Sequence, residues 1–199
     1  MSTVEQQLRK AAADMITIGA KFAVVGGLAV SARAEPRMTR DADLAIAVQS
    51  DHEAEQVIFA MQRLGYSVLA VVEHEATGRM STVRLETTGS VITDLRFASS
   101  GIEQDIVARA TMMSVIPGLI LPVACVGDLI AMKLLARDDR QRPTDADDLR
   151  ALREVATEAD WEIARIAVTS IEANGYARQR DLLAALNFLI VSGAYGVDL

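Results

Sequence analysis

The run FAVVGG at residues 22–27 constrains this chain more than any other segment. Four apolar residues in succession read as a buried strand, and the two glycines that stop it mark a tight turn. LAVSARA, residues 28–34, reads as a helix that starts at that turn. A strand, a diglycine bend and a helix in this order let backbone approach a phosphate closely. The first N–H groups of the helix then supply donors and a favourable dipole end. Taken alone, such a bend is most often no more than a turn.

It gains meaning from its distance to a pair of carboxylates. Thirteen residues, 28–40, separate Gly26-Gly27 from Asp41. That is room for one short helix and a return to a neighbouring strand, which places glycines and carboxylates at one sheet edge. A strand over 43–48 (DLAIAV) puts Asp41 and Asp43 on one face, with Leu44, Ile46 and Val48 anchoring the other. Two like charges side by side repel unless a cation sits between them or water screens them. Mg²⁺ or Mn²⁺ meets that need, because hard cations prefer carboxylate oxygen. Asp94, inside VITDLRF, shares its face with Ile92 and Arg96. Asp41, Asp43 and Asp94 on adjacent strands would hold one or two divalent metals, which clamp the attacking and leaving oxygens of a phosphoryl transfer. The plainer alternative is that Asp41-Ala42-Asp43 caps a loop and Asp94 pairs with Arg84 or Arg96.

Hydrophobic periodicity predicts helices over 4–20 and 51–64, then strands over 66–73, 80–86 and 91–97, the last two joined at Thr88-Gly89. A short helix near 101–109 and an irregular, proline-containing stretch over 111–124 come next. From Val126 the pattern is helical: 126–138, 144–157, 160–174 and 177–191. Mixed elements first and helices last indicate an α/β (α+β) fold, a small mixed β-sheet flanked by helices with a helical C-terminal part. With 199 residues, 51% of them apolar, the chain can bury one sizeable core. The expected division is an α/β core over 1–124 and a helical region over 125–199 packed on it.

Composition removes several functions. The single cysteine, Cys125, excludes a disulfide scaffold and a Cys-based zinc site and fits a reducing compartment; it reads as a small buried hydrophobe. A net charge of −7 argues against nucleic-acid binding through a broad basic surface. No basic start precedes an apolar core, and the longest apolar stretch, Leu182 to Val197, is broken by Asn187 and Ser192. A soluble, cytoplasmic protein without membrane contact is the expectation. His52 and His74, the only histidines, read as surface residues.

Several cations recur where an anion could use them. On a wheel of helix 126–138, Lys133 shares an arc with Val126, Leu129 and Ile130, and Arg137 and Arg140 extend it. A lysine directed into a core is costly unless paired, so Lys133 is expected to meet an Asp or a nucleotide phosphate; a snorkelling lysine is the alternative. Arg37 and Arg40 flank the aspartates and could neutralise them or bind phosphate through their planar forks. Ser31, one turn into the helix after the glycines, could reach a phosphate or simply pack. Asp145, Asp147 and Asp148 start a helix, where capping explains at least one, and Asp148 could instead reach Lys133 or Arg140.

The stretch VVGGLAVSARAEPRMTRDADLAI resembles the signature of the DNA polymerase β-type nucleotidyltransferase superfamily: a hydrophobic-Gly-Gly/Ser turn, about a dozen residues, then Asp-x-Asp. It is closer to the minimal and AbiEii-type toxin nucleotidyltransferases of bacterial toxin–antitoxin and phage-defence systems. Their Arg-x-Thr-x-Asp-x-Asp run is matched by Arg37, Thr39, Asp41 and Asp43. VGDLIAMKLLARDDRQRPTDADDLRAL is similar to that group's helical segment, Leu-x-x-x-Lys, then Arg, then Lys-Asp-x-x-Asp-Leu, with Thr144 standing where many relatives carry the second Lys. The resemblance implies a nucleotidyltransferase fold that moves a nucleoside monophosphate from an NTP to an acceptor hydroxyl on tRNA, protein or a small molecule. It implies Mg²⁺ (or Mn²⁺) held by Asp41, Asp43 and Asp94, the last helping to deprotonate the acceptor. Gly26 and Gly27 would receive the triphosphate, and an antitoxin would be the partner of a defence toxin. The alternative is a catalytically inactive nucleotide-binding or interaction protein with the same fold.

Overall fold

The computed structural model describes residues 3–39, 41–87, 92–137 and 143–192. Arg40, Arg140 and the expected turn at Thr88-Gly89 lie outside the described residues. In chain order the elements are α1 (Thr3–Thr17), β1 (Phe22–Val25), α2 (Gly26–Arg33), β2 (Ala42–Ile46), α3 (Asp51–Arg63), β3 (Ser67–Glu73), β4 (Met80–Glu86) and β5 (Ile92–Arg96). They continue with α4 (Glu103–Arg109), β6 (Thr111–Ile116), β7 (Leu119–Val123), α5 (Val126–Ala136), α6 (Pro143–Val155), α7 (Glu158–Ala173) and α8 (Leu182–Ser192).

One mixed sheet of seven strands, ordered β3-β4-β5-β2-β1-β7-β6, carries the molecule. Its centre is built from apolar runs that can be buried on both faces. All four residues of β1 are buried, as are Leu44, Ala45 and Ile46 of β2. β1 and β2 run antiparallel with Val25 opposite Asp43, and β2 and β5 run parallel with Asp43 opposite Asp94. The residues separating the glycines from Asp41 thus return the chain beside its own entry strand. α1 closes the core with Leu8, Ala11, Ala12 and Met15, a set at helical spacing.

Two expectations need correction. Residues 111–124 are not irregular: β6 and β7 form an antiparallel hairpin that turns at Pro117-Gly118, with Gly118 at φ 72°. Prolines discourage a strand reading, yet Pro117 serves the turn and Pro122 is accommodated inside β7, whose ladder to β1 is confined to Val24 and Val123. The last helix starts at Leu182 rather than near residue 177, because Arg178 and Gln179 adopt left-handed backbone, φ 52° and 62°.

The C-terminal helices pack on one another and, through α5 and α6, on α2. α7 is started by a reciprocal cap between Thr157 and Asp160, and α8 rests on α5 and α7 through buried Leu182, Leu186 and Leu189. Among the described residues no helix is long and apolar enough to cross a membrane. α5 and α7 approach closely at Gly127, where an added Cβ would lie 2.4 Å from the Asp160 carbonyl oxygen and 2.8 Å from the Ile163 Cβ. Backbone cannot give way as a side chain can. Gly127→Ala is therefore expected to lower the unfolding free energy by about 1–3 kcal/mol, read as a shifted urea midpoint; an unchanged midpoint would mean α5 and α7 are not in this contact.

Candidate active site

The site is built where β1 ends and β2 begins. Gly26 opens α2 at φ 65°, and a Cβ there would fall 2.2 Å from Asp43 Oδ2. Both facts demand glycine, one for conformation and one for space. Gly27 leaves room for Arg37, since a Cβ would meet Nη2 at 2.7 Å, a contact that would push the guanidinium aside. The diglycine is thus the floor on which one carboxylate and one guanidinium rest.

Across the sheet, Arg84, Asp94 and Asp43 stand in register on β4, β5 and β2. Arg84 grips Asp94 with two bonds, Nη2 to Oδ2 at 2.7 Å and Nε to Oδ1 at 2.9 Å. Arg96 gives Nη2 and Nε to Asp43 Oδ1, at 2.7 and 3.2 Å. The repulsion between neighbouring carboxylates is relieved by the chain's own arginines. The hydrogen bond to Asp94 raises the Arg84 pKa against the effect of burial, and the charges of Asp94, Asp41 and Asp43 add to it. Burial pulls the Arg96 pKa down, but the charge and hydrogen bond of Asp43 outweigh it and the net direction is up.

A second layer comes from the C-terminal helices. Lys133 of α5 places Nζ 2.6 Å from both Asp145 Oδ1 and Asp148 Oδ2 of α6. Asp148 also binds the Arg37 guanidinium through Nε and, at 2.8 Å, through Nη2. Lys133 therefore meets the carboxylates that its burial requires.

These elements enclose a cavity of about 210 Å³. Of the residues expected from sequence, Gly26, Gly27, Arg37, Asp41, Asp43 and Lys133 line it. Asp94 is buried beside Asp43 and bound to Arg84. Ser31 turns away to fasten the following loop, accepting from the Arg37 N–H at 3.2 Å and donating to its carbonyl at 3.3 Å. Arg40 lies outside the described residues. Four cations (Arg37, Arg96, Lys133, Arg178) and three carboxylates (Asp41, Asp43, Asp145) line the space, and Asp148, bound to both Lys133 and Arg37, brings the carboxylates to four, so the cavity is close to charge balance in a chain of net charge −7.

For a divalent ion the donor set is of the right kind. Asp41 and Asp43 offer hard oxygens, and Arg96 occupies only Oδ1 of Asp43, with Oδ2 set into the hollow over Gly26. Asp94 is committed to Arg84, and among the described residues no group of three or more His, Cys, Asp or Glu side chains is spaced to hold a metal.

Some residues of the cavity escape sequence patterning. Ser99 and Ser100 are fixed by Glu103, whose Oε1 accepts both their N–H groups and both their hydroxyls at 2.7–2.9 Å. The Ser100–Glu103 spacing, a capping-box pattern, was the available signal. Arg178 had none, because its left-handed backbone, a strain on the order of 1 kcal/mol, is imposed by tertiary context. His74 corrects an expectation: it is buried rather than on the surface, its ring 4.5 Å from that of Tyr176. Burial lowers its pKa, Arg178 lowers it further, and Glu103 and Glu75 oppose the shift. Cys125 is only partly buried and gives its thiol to Asp128 Oδ2 at 3.1 Å, and burial pushes it up to about 11.

A mixed sheet with a diglycine strand–helix bend facing paired aspartates is the frame of a nucleotidyltransferase. Residues 13–189 match the family model "Nucleotidyl transferase AbiEii toxin, Type IV TA system", and the chain belongs to that family. Among solved structures it is similar to an antigenic nucleotidyltransferase-like protein from Paracoccidioides brasiliensis, at 17% identity over 92% of each chain with a TM-score of 0.53. It is similar also to the antibiotic-resistance factor ANT(2″)-Ia in solution, at 20% identity over 94% of this chain and 93% of that one, TM-score 0.51. The crystal structure of ANT(2″)-Ia in complex with adenylyl-2″-tobramycin gives 19%, 94%, 98% and 0.51. These likenesses concern the fold. No curated protein matches the chain.

Lys133→Met takes one cation away from two nearly inaccessible carboxylates, Asp148 keeping Arg37, and should cost about 2–3 kcal/mol of stability; adding Asp145→Asn should recover part of it in urea unfolding, and no recovery would contradict the pairing. His74, held neutral when folded, protonates more readily unfolded, so its contribution to stability is present above its ordinary value near 6.5 and lost as pH falls below that. The melting temperature of His74→Gln should accordingly fall less than that of the wild type between about pH 6.5 and 5.

Proposed function

We propose that the protein transfers a nucleoside monophosphate from an NTP to a hydroxyl of a second substrate, aided by a divalent cation. The observation that carries this reading is the cavity where Asp41 and Asp43 meet the Gly26-Gly27 bend beside Arg37 and Lys133. The first turn of α2 would receive the phosphates on backbone N–H groups. Lys133 has three N–H donors, two of them engaged by Asp145 and Asp148, and the third would go to a phosphate oxygen. Arg37, with Nε and Nη2 held by Asp148 and Nη1 by the Met38 carbonyl, would add its charge and its remaining Nη N–H groups at the same place. The acceptor oxygen forms a bond to the α-phosphorus while the bond to the bridging oxygen breaks, and pyrophosphate leaves with that electron pair. The hydroxyl proton passes to a carboxylate, for which Asp94 is the candidate once Arg84 yields an oxygen.

Mg²⁺ or Mn²⁺ at Asp41 and Asp43, joined by Asp94 when it is free to turn, would neutralise charge on the phosphates. Acceptors within this reading are tRNA, a protein or a small molecule. ANT(2″)-Ia, crystallised with adenylyl-2″-tobramycin, illustrates the last of these in a protein of similar fold. Membership of a toxin family makes an antitoxin the expected partner and the cytoplasm the expected compartment. One observation favours a second reading, nucleotide binding without transfer: Asp43 and Asp94 already have arginine partners.

Incubation with each α-³²P-labelled NTP, Mg²⁺ and cell extract distinguishes the two. Label should move to a macromolecule or small acceptor with wild type and fall at least 100-fold with Asp43→Asn or Asp41→Asn, both folded by circular dichroism. Nucleotide binding with no label transfer from any NTP would establish the second reading.

A further inference from the structure

The segment joining α7 to α8 runs along the cavity in an uncommon conformation. Arg178 and Gln179, neither of them glycine, both sit in left-handed backbone, φ 52° and 62°. The segment is moored just before them: Tyr176 lies against Gly101, where a Cβ would meet its ring at 2.5 Å, and on the His74 ring. The effect of this strained crossing is to bring Arg178 into the cavity opposite the Ser99-Ser100 loop, where Nη2 donates to the Ser99 carbonyl at 3.4 Å. Strained backbone that persists at a cavity wall points to a side chain needed there.

The place is informative. Asp41 precedes the N-terminal end of β2, and Ser99 and Ser100 come after the C-terminal end of β5, which runs parallel to β2. A nucleotide with its phosphates at the glycine bend would extend along the sheet face toward Ser99, Ser100 and Arg178. There the chain offers a defined hydrogen-bond pattern. Both serine hydroxyls donate to Glu103 Oε1, so toward the cavity their oxygens can only accept, while Arg178 can only donate. Ser99 and Ser100 are themselves nearly fully buried, which fixes that pattern in place.

We infer that Arg178, with the Ser99 and Ser100 hydroxyls, contacts the nucleoside end of the bound NTP and sets which nucleotide is accepted. This rests on the transfer reading, because it needs an NTP in the cavity. It assigns a role to the segment between α7 and α8.

Calorimetric titration with Mg²⁺ and non-reacting α,β-methylene analogues of the four NTPs tests it, with inorganic tripolyphosphate as the phosphate-only probe. Arg178→Gly suits the left-handed backbone, so its melting temperature should hold or rise. Its affinity for the preferred analogue should drop at least tenfold, with less discrimination among the four and tripolyphosphate affinity within twofold of wild type. Arg178→Lys should fall between. Equal losses for analogue and tripolyphosphate would place Arg178 on the phosphates and overturn the inference. Unchanged analogue affinity, or a large fall in melting temperature with both Arg178→Gly and Arg178→Asn, would overturn it too. Wild type that binds tripolyphosphate but no analogue sinks this assignment while sparing the anion site; wild type that binds neither removes the transfer reading itself.

Discussion

Two carboxylates side by side on adjacent parallel strands set the terms for this structure. Asp43 and Asp94 are in register, and neither is well exposed to water. Like charges so placed would push each other toward protonation unless cations are supplied. Arg84 and Arg96 supply them from the neighbouring strands, and the strand order β4-β5-β2 brings all four groups together. Buried pairs of this sort contribute little net stability, since desolvation consumes most of the attraction. Their value is that they hold ionised oxygens in fixed positions at a cavity wall.

The same logic extends to the helical side. Asp148 is shared by Arg37, which lies just beyond α2, and Lys133, which belongs to α5. Lys133 also holds Asp145 at the start of α6. A single network therefore ties the loop that carries the Asp-x-Asp motif to the C-terminal helices. The cavity exists only when the sheet and those helices are docked, which is why its lining draws on residues from Gly26 to Arg178.

How much of this the sequence discloses depends on whether the cause is local. β1, the bend and the start of β2 are fixed by short-range features, an apolar run, two glycines and a spacing, and they are legible. Lys133 is legible because a cation on an apolar arc needs a partner, and α6 provides two. The β6–β7 hairpin is hidden because Pro117 and Pro122 argue locally against strands that tertiary pairing nevertheless stabilises. His74 reads as a surface residue because a lone polar side chain carries no sign of the aromatic ring that covers it. The partner of Asp94 could be narrowed to Arg84 or Arg96 from the sequence, but only the register between β4 and β5 selects Arg84.

The contrast between overall and local charge bears on what the cavity can admit. A surface of net charge −7 repels polyanions at a distance and gives no general grip on nucleic acid. Inside the cavity Arg37, Arg96 and Lys133 each face a carboxylate, so cations and anions come close to balance, and within about a Debye length these local groups dominate. A small nucleotide that reached the cavity would meet N–H donors already held in place by Asp43, Asp145 and Asp148, whereas a polyanion that needs a broad basic face would find none. A large acceptor such as tRNA would then have to present a single end or loop to the site, while the acidic exterior keeps the rest of it from adhering. That exterior repulsion is screened by salt and the enclosed contacts are screened far less, so a rise in ionic strength would weaken the first while leaving the second.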